Sequence, residues 1–139
     1  RDSGKDRAAA IKTYEQVLTK TPDNFVVLNN LAYLAFEDKN LTRAEELAKK
    51  AVSLQRENAD AVDTLAQIYV AKGDKAAALK LYEEVSARPI ANDDVYLNHV
   101  SVLLELDKKA LASRKLASRE FKSEAAKQRA ESLKQQYGL

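Results

Sequence analysis

Apolar residues recur along the chain at helical spacing. Leu28, Leu31, Ala32 and Ala35 fall at i, i+3, i+4 and i+7, as do Val62, Leu65, Ala66 and Tyr69. That spacing is the mark of a helix that buries one stripe. A second stripe follows each: Ala44, Leu47, Ala48 and Ala51, then Ala78, Leu81, Tyr82 and Val85. The breakers Asp38-Lys39-Asn40 and Lys72-Gly73-Asp74 separate the paired stripes. Gly73 suits a left-handed helix C-terminus, and Asn40 suits a helix end or cap. The whole arrangement repeats. Residues 25–58 and 59–92 align without gaps over 34 positions each, with Leu28/Val62, Leu31/Leu65, Ala32/Ala66, Ala44/Ala78, Ala51/Val85 and Asn58/Asn92 coinciding. A period of this size predicts an array in which each unit buries its stripe against its neighbours.

The period, with small residues where helices pack closely, resembles the tetratricopeptide repeat family. The family unit reads roughly W-x2-L-G-x2-Y, then A-x3-F, then P. In 59–92 the pattern falls on Val62, Leu65, Ala66, Tyr69, Gly73, Ala78, Tyr82 and Val85. Leu28 and Val62 replace the aromatic first position. Arg56 replaces the closing proline of one unit, and Pro89 sits one residue early in the next. The resemblance implies an all-α fold, a right-handed α-solenoid of antiparallel helix pairs with a C-terminal capping helix. It divides the chain into a second helix of a truncated unit (1–24), two units (25–58 and 59–92), a degenerate unit (93–121) and the capping helix (122–139).

The expected ends follow from the same pattern. Ala10, Tyr14, Val17 and Pro22 fit a second helix and its closing proline, so the chain is expected to begin mid-repeat, its first helix lying upstream. Ile11, Tyr14 and Val17 should then lack part of their cover and offer an edge for self-association. In 93–121, Leu97, Val100, Ser101 and Leu104 match the first-helix stripe if one residue is inserted in the preceding loop, with Leu111, Leu116 and Ala117 on the partner helix. Phe121, Ala125, Ala126, Ala130, Leu133 and Tyr137 form the stripe of the cap, before Gly138.

Composition supports helix and removes much chemistry. The 139 residues include 23 alanines and 18 leucines, and 32% are charged; alanine, leucine, lysine and glutamate are good helix formers. With no cysteine there is no disulfide framework, thiolate metal site or cysteine nucleophile. Three scattered glycines build no phosphate loop, and the single histidine, His99, builds no multi-histidine metal site. The Glu45-Glu46 and Glu83-Glu84 pairs read as helix-surface partners of nearby lysines, because adjacent helix residues diverge by about 100°. No catalysis, cofactor or metal is expected. No uncharged apolar run approaches the roughly 18–20 residues of a membrane span. The alanine-rich style is similar to that of bacterial arrays, which leaves the compartment open between cytoplasm and cell envelope, any targeting segment lying upstream of residue 1. The net charge of +2 hides an asymmetry: residues 1–107 carry 14 basic and 18 acidic side chains, and residues 108–139 carry 9 and 3. The basic end reads as an anion-binding surface or, more simply, as a solvated outer face without interleaved aromatics. No nucleic acid is expected as a partner.

The family resemblance implies that first helices line a concave groove that holds ligands. The residues off the buried stripe are Asn29, Tyr33, Phe36 and Glu37, then Asp60, Asp63, Gln67 and Val70, then Asn98, Val102 and Glu105. Asn29, Asp63 and Asn98 should form a polar ladder able to bond the backbone of an extended peptide, beside the aromatic surface of Tyr33 and Phe36. The alternatives are a plain solvated face and a structural segment that stacks through its open N-terminal edge. Asp60, Asp63, Asp93 and Asp94 in this region would repel a chaperone C-terminal carboxylate, so an apolar or basic protein segment is the expected ligand.

Overall fold

The computed structural model describes residues 2–139. Among them are eight α-helices and no strand: α1 (Asp2–Lys20), α2 (Phe25–Glu37), α3 (Leu41–Leu54), α4 (Ala59–Ala71), α5 (Lys75–Val85), α6 (Asp93–Glu105), α7 (Lys109–Ala117) and α8 (Glu124–Tyr137). α2 pairs with α3, α4 with α5 and α6 with α7, while α1 packs on α2, and α8 packs on α6 and α7. The result is an all-α solenoid.

The repeat is punctuated by backbone chemistry as much as by apolar residues. Asn24, Asn58 and Asn92 are N-caps at 34-residue intervals, their side chains accepting from the backbone N–H groups of Val27, Ala61 and Val95. Lys39, Gly73 and Asp107 recur at the same interval in the left-handed region, with φ of 64°, 88° and 61°. After each, a backbone N–H reaches back five residues: Asn40 to Ala35, Asp74 to Tyr69 and Lys108 to Leu103. This bond satisfies an otherwise orphaned carbonyl of the finished helix and turns the chain toward the next one. Asn40 and Asp74 then cap α3 and α5. Lys108 has no acceptor side chain and makes no such bond, and the helix it precedes has only nine residues.

These landmarks correct the expected insertion before the third pair. α2, α4 and α6 each have 13 residues and start 34 apart, at Phe25, Ala59 and Asp93. In this register His99 stands in the slot of Leu31 and Leu65, and Val100 in that of Ala32 and Ala66. A one-residue shift restores an apolar stripe on paper, but the caps and turns hold the backbone in the unshifted frame. His99 is accordingly buried, stacked on Tyr82 with ring centroids 5.2 Å apart. Its Nδ1 lies 3.4 Å from Ser86 Oγ, and its Nε2 has no partner.

Two apolar clusters share α4. One joins α2 and α3 to Leu65 and Ile68, and the other runs from Ala66 through α5 and α6 to Ala126 and Ala130. Ala32, Ala44, Ala66, Ala78 and Ala112 are fully buried at the close approaches. The cap differs in detail from expectation. Phe121 is buried but precedes α8, and Ala125 is exposed, because α8 begins at Glu124 and turns Ala126, Ala130 and Leu133 inward.

Two outcomes follow. Lys108→Asn should supply the missing cap and stabilise the fold by about 1 kcal/mol, read by urea or thermal unfolding; an unchanged midpoint would show that the cap does not limit α7. Burial, with a smaller push from Lys115, lowers the His99 imidazole from 6.5 to about 4. The unfolded chain therefore takes up this proton first, so the contribution is intact above pH 6.5 and lost as pH falls toward about 4. His99→Leu should remove that part of the acid sensitivity. A variant with the wild-type pH profile would sink this assignment.

Candidate functional site

Helical spacing puts Val26, Asn29, Asn30 and Tyr33 on one face of α2. Thirty-four residues on, Asp60, Asp63, Thr64 and Gln67 take the same positions on α4. With Asp94 at the start of α6 and Tyr14 on α1, these faces enclose a groove of about 460 Å³ that Asn29, Tyr33, Asp60 and Asp63 line. Tyr33 is 51% exposed and Val26 62%. The adjacent Glu37 carboxylate raises the Tyr33 phenol above its ordinary value.

Other expected groove residues face elsewhere. Phe36 and Val70 are half-buried and pack against the apolar clusters. Glu37 pairs with Arg7 at 2.9 Å, and Glu105 with Lys75 at 3.1 Å. Val102 is buried at 1% exposure and belongs to the core, because it occupies the slot of Ile68 in the unshifted register. Asp93, counted above with the repelling carboxylates, is bound by Arg119 and by the backbone N–H of Lys122. These contacts hold its carboxyl below the ordinary range.

The polar ladder divides in two. Leu97 fills the position equivalent to Asn29 and Asp63, and Asn98, one residue on, supplies the third rung. Its Nδ2 donates to Asp63 Oδ1 at 3.0 Å, and its Oδ1 accepts from Arg129 of α8 at 2.7 Å. Tyr82 donates to the same Asp63 oxygen at 2.5 Å and accepts from Gln67 Nε2 at 2.7 Å. A continuous chain of hydrogen bonds therefore crosses from α8 through α6 and α4 to α5. Burial raises the Asp63 carboxyl pKa despite these donors, and burial beside Asp63 raises the Tyr82 phenol. Asn29 stands outside this chain. Its repeat has Ala48 where the next has Tyr82, so no hydroxyl reaches it, and its buried Oδ1 has no partner.

The N-terminal edge shows an asymmetry between equivalent positions. Ala10, Tyr14 and Val17 are half-buried, whereas Ala44/Ala78, Ala48/Tyr82 and Ala51/Val85 are buried. Ile11 is also half-buried, and Tyr14 accepts a hydrogen bond from Asn30 at 3.3 Å. Several basic residues of the C-terminal part point inward. Arg119 reaches the carbonyls of Ile90 and Ala91 and covers the Tyr96 ring at 4.5 Å, while Arg129 holds Asn98. Thr64, which the sequence analysis does not single out, also lines the groove. Its spacing of one turn from Asp60 would have found it.

Tetratricopeptide repeat models match residues 2–62 and 35–96. No curated protein sequence matches. Among solved structures, MamA is similar at 23% identity with a TM-score of 0.71, over 83% of this chain and 67% of that one. YrrB, described as a TPR protein with an unusual peptide-binding site, is similar at 23% identity and TM-score 0.68, over 76% of this chain and 54% of that one. PilF of Pseudomonas aeruginosa is similar at 18% identity and TM-score 0.70, over 91% and 67%. The chain spans about half of YrrB and two thirds of the other two.

Tyr82→Phe should test the internal role of the hydrogen-bond chain. It leaves the apolar packing in place but strips a donor from half-buried Asp63 and an acceptor from Gln67. Unfolding should become easier by about 1–3 kcal/mol; a neutral effect would mean that these bonds add no net stability.

Proposed function

Because the chain belongs to the tetratricopeptide repeat family, we propose that it is a protein-interaction module whose groove between α2, α4 and α6 holds an extended segment of a partner. In this reading residues 25–58, 59–92 and 93–121 act as three units, 1–24 as the second helix of another and 122–139 as the cap. The observation that carries it is the unmet chemistry on α2: the partnerless Asn29 Oδ1 sits in the groove wall beside the exposed Tyr33 ring. An orphaned buried acceptor is costly, and a turn of the Asn29 amide, which lines the groove, would bring it to a peptide N–H laid there. Exposed aromatic residues are frequent binding anchors. The peptide-binding site of YrrB lends support, and Asp60, Asp63 and Asp94 argue for an apolar or basic segment over a carboxylate terminus. The reading requires no catalysis and no cofactor.

A second reading rests on the N-terminal edge. Ala10, Tyr14 and Val17 are less covered than their counterparts in later helices, which favours self-association there, with Ile11 alongside.

Tyr33→Ala and Asn29→Ala should each weaken a partner captured by the intact protein by about 1–2 kcal/mol, roughly five- to thirtyfold, as read by calorimetry. Binding unaffected by both would end the groove reading. Concentration-dependent self-association that Tyr14→Asp abolishes, with Tyr33→Ala silent, would favour the second.

A further inference from the structure

The groove is electrostatically one-sided. Asp60 and Asp94 are equivalent positions of successive repeats, both exposed and both on the groove wall, and no lysine or arginine contributes to that wall. Among the described residues neither carboxylate enters an ion pair. Among the described residues the only side-chain hydrogen bond to the Asp60 carboxylate is a long one, 3.5 Å, from Asn92 Nδ2. Asp63 differs, because Tyr82 and Asn98 donate to it and Arg129 stands behind Asn98. The nearby carboxylates of α2 and α6 are likewise taken: Glu37 and Asp38 by Arg7, and Asp93 by Arg119. The fold thus neutralises the acidic groups around the groove and leaves two, in one row, facing the space that Asn29 and Tyr33 also face.

We infer that the occupant of this groove is a basic segment, whose lysine or arginine side chain lies between Asp60 and Asp94 while its backbone meets Asn29 and its apolar neighbour covers Tyr33. This rests on the groove reading above and names the partner's chemistry. Two partly exposed carboxylates near a low-dielectric wall attract a cation more strongly than either would alone. Asp63, though central to the groove, is a positioning residue: its hydrogen bonds from Tyr82 and Asn98 tie α4 to α5 and α6 and engage both carboxylate oxygens. Asp60 and Asp94 also lie in the first turns of α4 and α6, where negative charge favours the helix. The test must therefore separate charge from stability.

Random peptides displayed on phage would be selected against the immobilised full chain. Enrichment of lysine or arginine in the selected pool supports the inference. A pool that competes with Tyr33 contacts, losing affinity in Tyr33→Ala, but shows no basic enrichment overturns it and leaves the groove reading standing. An empty selection overturns both. For the best selected peptide, Asp60→Asn and Asp94→Asn should each cost about two- to fivefold in affinity, with a weaker salt dependence. Asp60→Glu should restore binding, and circular dichroism should show all three variants folded. Equal affinity of wild type and the Asp60→Asn/Asp94→Asn double variant would refute the assignment.

Discussion

A helix with a single apolar stripe has nothing to bury it against except another helix, and a pair of such helices still leaves one side bare. This constraint shapes everything else in the chain. Each pair must lie on the next, and the approach must be close enough to exclude water. Ala32, Ala44, Ala66, Ala78 and Ala112, all fully buried, let the backbones come together. A larger side chain at these points would overpack by about 1–3 kcal/mol. The groove wall is the by-product: once first helices align through their small residues, the positions off the stripe form rows that run across repeats.

Much of this was legible in the residues, and the exceptions have physical causes. The first two full pairs declare themselves through Leu28/Val62, Leu31/Leu65 and the two alanine pairs. In the third the apolar pattern is degenerate and points one residue away from the true register. His99 fills a leucine slot by stacking its ring on Tyr82, and Val100 fills an alanine slot. The more reliable register lay in the asparagine caps at 24, 58 and 92 and in the left-handed residues at 39, 73 and 107. Those positions depend on backbone hydrogen bonds, which tolerate no slip. At the site, helical spacing places Asn29, Tyr33, Asp60 and Asp63 on the groove wall. It cannot say that Asp63 is bonded from two sides, because one donor sits on α5, the other on α6, and Arg129 behind them comes from a helix outside the 34-residue period.

The uneven charge takes on a different meaning in three dimensions. The basic end of the chain is not a uniform patch. Arg119 ties the segment before α8 to the N-terminus of α6, through Asp93 and two backbone carbonyls, and Arg129 supports the groove floor. Lys115 joins Arg119 over the Tyr96 ring at 5.5 Å. Part of the positive charge therefore fastens the last helices to the stack and compensates acidic groups of the preceding repeats. The groove keeps negative charge only where no such arginine reaches.

The membership of α4 in both apolar clusters has a consequence for cooperativity. In a stacked array, stability is close to a sum of unit and nearest-neighbour terms, so the two halves melt together only as long as their coupling exceeds the difference between them. Leu65 and Ile68 face one half and Ala66 the other, which routes that coupling through about a single turn of one 13-residue helix. Loosening α4 would uncouple the halves into separate folding units, each opening with its own free energy. The groove, whose walls come from both halves, would lose its shape before either half lost its helices.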